Sequence, residues 1–242
     1  MIDTSTAIVR LEKAERLLVG LDFDGVLAEI VERPDDATPV TGVPEVLLAL
    51  VASPGVRVAA VSGRRRADLA ARLSPPVGVM LIGEHGADSG IEEFDLPDGY
   101  EEVRVVLQGV ADGFDGAWVE EKRTGLTIHG RMLSEPDAAE LTRRAETALE
   151  PLVPGRFERG NRIVDVRMTG VTKGDAVSAL RLRSETVLFI GDDTTDESVF
   201  KVLGAGDIGV KVGPGPTAAD CRLPNPAAVV GFLAELVVSR AR

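Results

Sequence analysis

A short apolar run that ends on two acidic residues constrains this chain more than any other stretch. Residues 18–27 read Leu-Val-Gly-Leu-Asp-Phe-Asp-Gly-Val-Leu, in which Asp22 and Asp24 are two positions apart. Side chains at positions i and i+2 point to the same side of an extended strand. The pattern therefore predicts a buried strand with both carboxylates facing one spot at its carboxyl end. They would repel each other there unless a cation or a shared proton lay between them.

Apolar runs of this kind recur along the chain and alternate with segments of helical character. The further strand candidates are Val56–Val61, Val79–Ile82, Thr186–Ile190 and Ile208–Val212. The helix candidates are Val43–Val51, Ala67–Leu73, a segment that begins at Thr172, and Ala227–Val238. Strands that alternate with helices indicate βαβ units. The predicted fold class is therefore α/β, with a doubly wound, Rossmann-like parallel sheet.

The pattern changes between residues 88 and 169. Leu126–His129 and Arg162–Arg167 alternate apolar and polar residues, as antiparallel strands with one solvated face do. The other elements predicted in this region are the strand Trp118–Lys122 and the helices Glu101–Val110 and Asp137–Leu149. We therefore predict an inserted, smaller α+β domain at 88–169 within a core domain made of residues 1–87 and 170–242.

Composition argues against several kinds of function. The formal net charge is −12, whereas nucleic acid binding relies on clustered Lys and Arg, so we expect no nucleic acid partner. No apolar stretch approaches the roughly 20 residues of a membrane span, and the N-terminus lacks a signal peptide's layout, so we expect no membrane association. A single cysteine, Cys221, leaves no internal disulfide and predicts a cytoplasmic location. With two histidines and one cysteine, any metal site must be rich in oxygen ligands.

Chemically useful residues follow elements that end at one edge of the predicted sheet. Open parallel sheets bind ligands at the carboxyl ends of their strands. The residues expected at that edge are Asp22, Asp24, Ser62, Lys173, Asp192, Asp193 and Asp196. Carboxylates from several positions can hold Mg²⁺ octahedrally, with water and a phosphate oxygen completing the shell. The predicted cofactor is therefore Mg²⁺.

Such a cluster suits phosphoryl transfer. One carboxylate can attack phosphorus to form an aspartyl phosphate, and a second can protonate the leaving alkoxide and later activate water. Ser62 and the backbone amides near Gly25 and Gly63 could donate hydrogen bonds to phosphate oxygens, and Lys173 adds a fixed positive charge. The metal would also attract an anionic substrate that the net charge of the chain repels.

Four motifs resemble those of the haloacid dehalogenase-like hydrolase superfamily. In order they are Asp-Phe-Asp-Gly-Val-Leu at 22–27, Val-Ser-Gly-Arg at 61–64, Lys-Gly-Asp-Ala at 173–176 and Gly-Asp-Asp-Thr-Thr-Asp-Glu at 191–197. Within the superfamily the chain is similar to trehalose-6-phosphate phosphatases, whose Gly-x-His-Gly-Ala element matches residues 83–87. The resemblance implies Mg²⁺-dependent hydrolysis of trehalose 6-phosphate to trehalose and phosphate through an aspartyl phosphate.

The resemblance also implies a role for each motif residue. Asp22 is the expected nucleophile and a metal ligand. Asp24 is the expected acid and base, with its backbone carbonyl on the metal. Asp192 is expected to bind the metal directly, with Asp193 and Asp196 supporting the metal or its waters. The expected phosphate-binding residues are Gly25, Ser62, Gly63 and Lys173.

The resemblance extends into the insert, which it implies is a cap that binds the sugar. Glu121-Lys122 and His129-x-Arg131 resemble the family's Glu-x-Lys and His-Tyr-Arg elements. The residues expected to face the sugar are Glu121, Lys122, His129, Arg131, Asp165 and Arg167. Gly130 stands where an aromatic residue is usual in the family, and Asp165 and Met168 stand where Glu and Pro are usual. These departures leave an alternative substrate open, namely another glycoside phosphate such as glucosylglycerol phosphate or a pseudo-disaccharide phosphate.

Three other kinds of function compete with this reading. A phosphomutase uses the same chemistry, but no extra phosphate-binding patch is visible in the sequence. A receiver-type phosphoacceptor domain also combines an acidic pair, a hydroxyl and a lysine, but the insert and the second acidic group argue against it. A catalytically inactive binding protein has no support, because every motif residue is present. We expect a monomer whose partner is a small sugar phosphate.

Overall fold

Two separate sheets divide the chain. The computed structural model describes residues 1–31, 33–90, 96–122 and 124–241. One unit, here called the core unit, comprises Met1–Ile91 and Val171–Arg242, and the other, the insert unit, comprises Glu92–Gly170. The functional role of each unit stays a prediction.

The predicted helices and strands occur in the predicted order, and the described residues add two helices and two short strands. Among the described residues, the strands are β1 (Leu17–Leu21), β2 (Val56–Val61), β3 (Val79–Ile82), β4 (Trp118–Lys122), β5 (Gly125–His129), β6 (Phe157–Gly160), β7 (Ile163–Arg167), β8 (Thr186–Gly191), β9 (Ile208–Val212) and β10 (Cys221–Leu223). The helices are α1 (Thr4–Leu11), α2 (Val43–Ala52), α3 (Arg66–Leu73), α4 (Tyr100–Ala111), α5 (Glu135–Leu149), α6 (Lys173–Leu180), α7 (Glu197–Phe200) and α8 (Pro226–Arg240). Short 3-10 turns occupy Pro34–Asp36 and Glu84–Gly86.

The core unit contains a parallel sheet with the strand order β10-β9-β8-β1-β2-β3. All residues of β1 are buried, because β8 and β2 flank it and helices cover both of its faces. Leu17, Val19 and Leu21 pack in a cluster with α1, α2, α3 and α8, whereas Leu18 packs with α6 and α7. A parallel sheet with helices on both faces confirms the predicted doubly wound α/β fold.

The insert unit contains an antiparallel sheet with the strand order β4-β5-β7-β6. Leu126, Ile128 and Val164 lie on the face that packs against α4 and α5. The expected solvated face is absent from β5, where even Thr127 and His129 are buried. The expectation is wrong for this strand because β5 lies between β4 and β7, whose side chains cover its polar residues.

Two short strands escape prediction from the sequence. β6 is largely polar and exposed, and β10 has only three residues, so neither shows a recognisable apolar period. β10 follows β9 and is the last of the described strands. An acidic, turn-rich segment predicted at 92–99 lies partly outside the described residues. Within the described ranges, no helix has the length and apolar character needed to span a membrane.

Candidate active site

Four aspartates form an acidic cluster at the carboxyl edge of the core sheet. Asp22 directly follows β1, and Asp192, Asp193 and Asp196 follow β8, the strand that pairs with β1. One carboxylate oxygen from each residue lies within 4.8 Å of the other three. The two strands run parallel, so their carboxyl ends meet at one edge. The fold thus brings these four residues together, while their chemical roles stay predictions.

Lys173 is buried against the acidic cluster. It is the first residue of α6, which begins with a capping box between Thr172 and Asp175. Its Nζ donates to Asp22 Oδ2 at 2.6 Å and to Asp196 Oδ1 at 2.8 Å. Burial alone would lower the pKa of Lys173, but the neighbouring carboxylates raise it above its usual value. The ammonium group therefore stays charged.

Hydrogen bonds fix the loop that follows β8. Asp196 Oδ2 accepts from the backbone amides of Asp192 at 2.8 Å and Asp193 at 3.1 Å. Asp193 Oδ1 accepts from the backbone amide of Thr195 at 2.8 Å and from its hydroxyl at 2.7 Å. Because both oxygens of Asp196 are engaged, one with the loop and one with Lys173, this carboxylate is suited to orienting the cluster.

The four aspartates of the cluster carry more negative charge than the positive groups around them neutralise. Burial raises the pKa of Asp22 well above its usual value and raises the pKa of Asp192 to about 6. Burial also raises the pKa of Asp196. Asp193 differs, because the charge of Lys173 and hydrogen bonds from Thr195 outweigh burial and lower its pKa. Three of the four acids would therefore gain from a nearby cation.

The donor set fits a hard divalent cation. Carboxylate oxygens are the ligands that Mg²⁺ and similar ions prefer. Asp22 and Asp196 already accept from Lys173, whereas no donor in the described part of the chain is hydrogen-bonded to the Asp192 carboxylate. Its oxygens are available to a ligand, and a cation there would reduce the repulsion within the cluster. This arrangement supports direct binding of a metal ion by Asp192.

Gly25 is the point where the loop after β1 meets the loop after β8. Its φ is +71°, and a Cβ atom at this position would lie 2.1 Å from Asp192 Oδ2. Only glycine satisfies both the backbone conformation and the close approach. The predicted phosphate-binding backbone at Gly25 is therefore adjacent to the carboxylate that is available to a cation.

Ser62 and Gly63 follow β2, on the other side of β1 from β8. Ser62 is buried, and its Oγ accepts from the backbone amide of Arg64 at 3.2 Å. Its carbonyl accepts from the amide of His85 at 2.9 Å, and the His85 ring packs against Gly63. Glu84 and His85 adopt left-handed backbone conformations with φ of 49° and 57°, which non-glycine residues adopt at a cost in energy. The Gly-x-His-Gly-Ala element thus holds the Ser62 loop in place through the His85 amide and the His85 ring.

The Asp24 carboxylate is not one of the four that form the acidic cluster, and the expectation that a continuous strand carries both Asp22 and Asp24 is wrong. β1 ends at Leu21, and strand alternation therefore does not extend over the two aspartates. Arg64 binds Asp24 instead, with Nε 2.7 Å from Oδ2 and Nη2 2.7 Å from Oδ1. The acid and base role of Asp24, and its carbonyl as a metal ligand, stay predictions.

Polar side chains gather on the face of the insert sheet that is turned away from α4 and α5. Lys122 Nζ donates to Asp165 Oδ1 at 2.8 Å, and the Thr127 hydroxyl donates to the same oxygen. His129 Nε2 lies 3.1 Å from Glu120 Oε2. The predicted residues Lys122, His129 and Asp165 therefore share this face, here called the polar face, with Glu120.

Glu121 lies on the opposite side of β4 from Lys122. Adjacent strand residues point to opposite faces, and Glu121 is 3.8 Å from Arg104 of α4. Glu121 and Lys122, which are both predicted to face the sugar, therefore lie on opposite faces of the sheet. The residue two positions before Lys122 is Glu120, which alternation places on the same face. The Glu-x-Lys element is thus Glu120 and Lys122.

The remaining residues predicted to face the sugar lie at strand ends. Arg131 is exposed in the turn after β5. Arg167 is the last residue of β7 and pairs with Glu158 of β6 at 3.2 Å. Between His129 and Arg131, a Cβ at Gly130 would lie 2.8 Å from Leu141 Cδ2 of α5. The close approach of α5 therefore explains why a glycine stands at this position.

Sequence reasoning overlooks three side chains at these sites. Lys211 is buried in β9, and its Nζ donates to the backbone carbonyls of Asp192 and Val212. A lysine within the apolar run Ile208–Val212 is the signal that could have identified it. Trp118 stacks on His129 with ring centroids 4.5 Å apart, an arrangement set by the β4–β5 register. Arg64 stands inside a recognised motif, yet the motif alone assigns it no role.

Comparison with known sequences connects these sites to characterised relatives. The profile of the family described as trehalose-phosphatase matches residues 20–223. A bifunctional trehalose-6-phosphate synthase/phosphatase from Thermoproteus tenax is 36% identical over 224 residues, which cover 87% of this chain and 30% of that protein. A trehalose-6-phosphate phosphatase from Escherichia coli is 31% identical over 213 residues, which cover 84% of this chain and 79% of that protein. The chain therefore spans only a minor part of the Thermoproteus protein.

Solved structures share the fold of the chain. The structure of an Aspergillus fumigatus trehalose-6-phosphate phosphatase is 30% identical, with a TM-score of 0.68 over 98% of each chain. The C-terminal domain of a Candida albicans trehalose-6-phosphate phosphatase is 24% identical, with a TM-score of 0.76 over 98% of this chain and 97% of that one. At that lower identity the second likeness concerns the fold alone.

Proposed function

The chain belongs to the trehalose-phosphatase family of the haloacid dehalogenase-like superfamily, and on this premise we propose that it hydrolyses trehalose 6-phosphate to trehalose and phosphate. Membership of the family makes it a phosphatase, a phosphoric monoester hydrolase. The observation that carries the proposal is the buried contact of Lys173 with Asp22 inside the acidic cluster. The fixed cation opposes the rise that burial causes in the pKa of Asp22, and it thereby favours the ionised carboxylate that attacks a phosphate ester.

In the first half of the proposed reaction, Asp22 forms a bond to phosphorus while the bond from phosphorus to the sugar oxygen breaks. Lys173 favours the ionised form of Asp22 and offsets the charge on the phosphate oxygens. Ser62 and the amides near Gly25 and Gly63 bind those oxygens. Asp24 donates a proton to the leaving sugar oxygen, so that a neutral alcohol departs.

In the second half, water displaces phosphate from Asp22, and Asp24 takes up the proton that the water loses. When bound, a divalent cation, for which we propose Mg²⁺, supplies positive charge that attracts the phosphate and lowers the repulsion among the carboxylates. Asp192 would hold this ion together with Asp22, and Asp193 and Asp196 would orient the loop around it. Both carboxylates that react are thereby restored for another turnover.

We propose that the polar face of the insert unit binds the sugar part of the substrate. Lys122, Asp165, Glu120 and His129 supply both donors and acceptors on that face, as recognition of sugar hydroxyls requires. Asp165 lies at the centre of this network and is one of the positions where the chain departs from its family. For this reason another glycoside phosphate is the second candidate substrate.

The proposal is tested by phosphate release from a panel of sugar phosphates with Mg²⁺. We expect trehalose 6-phosphate to give the highest kcat/KM, and glucose 6-phosphate, which lacks the second glucose ring, to give a lower value. The Asp22→Asn variant is the matched control and is expected to fold normally and release no phosphate. A wild-type protein that releases none from trehalose 6-phosphate but releases phosphate from glucosylglycerol phosphate would select the second candidate.

A further inference from the structure

Arg64 binds both oxygens of the Asp24 carboxylate. Its Nε and Nη2 donate to Oδ2 and Oδ1, each at 2.7 Å. The Arg64 side chain is 10% exposed and that of Asp24 is 40% exposed, so the pair lies at the margin of the buried site. Two parallel hydrogen bonds between a guanidinium and a carboxylate form a strong, directional pairing that fixes the plane of both groups.

Arg64 is itself held by contacts that do not involve Asp24. Nη1 donates to Asp68 Oδ2 of α3 at 2.8 Å, and Nη2 donates to the carbonyl of Pro34 at 2.9 Å. The guanidinium carbon lies 5.3 Å from the centroid of the Phe23 ring. These contacts anchor the guanidinium from three directions. Arg64 therefore determines where the Asp24 carboxylate rests, and not the reverse.

We propose that Arg64 is the positioning residue that orients the Asp24 carboxylate as the base of the hydrolytic half of the reaction. This inference rests on the proposed function. Both oxygens of Asp24 accept hydrogen bonds from Arg64, so the plane and the direction of the carboxylate are fixed. With both oxygens accepting from Arg64, the carboxylate is arranged to receive a proton and not to donate one. The pairing therefore favours the second half of the reaction, whereas the first half requires Asp24 to carry a proton and to release at least one Arg64 contact.

The step that Arg64 assists is balanced without any further reactant. A water oxygen forms a bond to phosphorus while the bond from phosphorus to the Asp22 oxygen breaks, which yields phosphate and the Asp22 carboxylate. The proton lost by the water passes to Asp24, which becomes neutral. Arg64 touches none of the reacting atoms, and it acts only through the position of the Asp24 carboxylate.

Pre-steady-state kinetics of Arg64→Met with p-nitrophenyl phosphate and Mg²⁺ test the inference independently of the sugar. We expect the first p-nitrophenol to be released as fast as by the wild-type protein, in a burst close to one per protein molecule. The steady-state rate should then be about tenfold to a hundredfold lower, because base catalysis of the second half is impaired. Arg64→Lys, which retains the charge without the two-pronged geometry, should lie between the two.

Arg72→Met is the matched control. Arg72 also binds Asp68, at 2.7 Å, and it binds Asp35 at 2.6 Å, but it makes no contact with Asp24. We expect this variant to show no burst and a steady-state rate within about twofold of the wild-type value. If Arg64 acted only by fixing α3 and the Pro34–Asp36 turn, the two variants would behave alike, and the inference would be overturned.

A double-mutant cycle with Asp24→Asn keeps the inference testable even if Arg64→Met proves less stable. The readout is the rate at which phosphoryl groups trapped on the protein are lost. We expect the Arg64 substitution to slow this rate in the wild-type background and to leave it unchanged when Asp24 is absent. Additive losses would overturn the inference. Wild-type activity on p-nitrophenyl phosphate but not on trehalose 6-phosphate would overturn the proposed substrate and leave the inference supported.

Discussion

At the scale of single residues, the main feature of the site is that its carboxylates outnumber its positive groups. Four aspartates converge on a space less than 5 Å across, and Lys173 offsets only part of their charge. The raised pKa values of Asp22, Asp192 and Asp196 express that excess. A site of this kind is unfavourable for the folded chain by itself, and a bound cation would reduce that cost.

The pH dependence of metal binding follows from Asp192, whose pKa is raised to about 6. A cation binds the carboxylate and not the carboxylic acid, so protons compete with the metal below pH 6. We expect Mg²⁺ to raise the Tm strongly at pH 7.5, and this rise to shrink as the pH falls through 6. In the metal-free protein the sign is opposite. Ionisation of Asp192 opposes folding there, so its contribution to stability falls as the pH rises from about 4 through 6.

Differential scanning fluorimetry across pH 5 to 8, with and without Mg²⁺, measures both effects. Asp192→Asn is the control, and it should reduce the Mg²⁺-induced rise in Tm at every pH. A rise in Tm that is equally large at pH 5 and pH 7.5 in the wild-type protein would contradict the account of Asp192.

Asp24 shows what residue-level reasoning can and cannot predict. The acidic residues and Lys173 are recognisable from the sequence because they follow apolar strands or open a capped helix. The partner of Asp24 is not recognisable, because it depends on where β1 stops. Strand alternation places Asp22 and Asp24 on one side only if the strand continues through both, and β1 ends at Leu21. The pairing with Arg64 arises from packing between loops that are 40 residues apart in the chain.

At the scale of elements, alternation along β4 and β5 decides which side chains share a face. Glu120 and Lys122 lie on the polar face, whereas Glu121 lies on the side of α4. Adjacent glutamates in one strand thus have different surroundings. The role of the polar face can therefore be tested by making the same substitution at Glu120 and at Glu121, because only Glu120 lies on that face.

We expect Glu120→Gln to raise the KM for trehalose 6-phosphate about tenfold, because it weakens the contact that orients His129 and removes a charged acceptor from the polar face. Glu121→Gln should leave KM within about twofold of the wild-type value. Neither change should alter the rate with p-nitrophenyl phosphate, which has no sugar. The fluorescence of Trp118, the single tryptophan of the chain, checks that its stacking on His129 is retained. Equal effects of the two substitutions on KM would contradict a sugar-binding role for the polar face.

Element prediction succeeds where the apolar pattern is long and fails where neighbours decide the outcome. β2 and β3 have the bounds that the sequence predicts. Burial of the polar residues of β5 is not predictable from its own alternation, because the covering side chains belong to β4 and β7. β10 is too short to show an alternation of apolar and polar residues in the sequence. It forms by pairing with the edge of β9.

At the scale of the whole molecule, the fold assembles one site from distant parts of the chain. β1 lies between β2 and β8, so residues that follow these three strands reach one edge although up to 174 positions separate them, as between Asp22 and Asp196. The insert unit is placed between β3 and α6 in the sequence and contains its own sheet and apolar cluster. If the insert binds the sugar, as we propose, chemistry and substrate choice could change independently.

The central claim is that Asp22 receives the phosphoryl group. The most direct measurement is to quench the wild-type protein with acid during turnover of trehalose 6-phosphate with Mg²⁺, reduce it with borohydride, and sequence its peptides by mass spectrometry. Borohydride converts a phosphorylated aspartate into homoserine. We predict homoserine at position 22 in the wild-type protein and none in Asp22→Asn. Steady release of phosphate with position 22 unmodified, or with homoserine at another aspartate, would contradict the account.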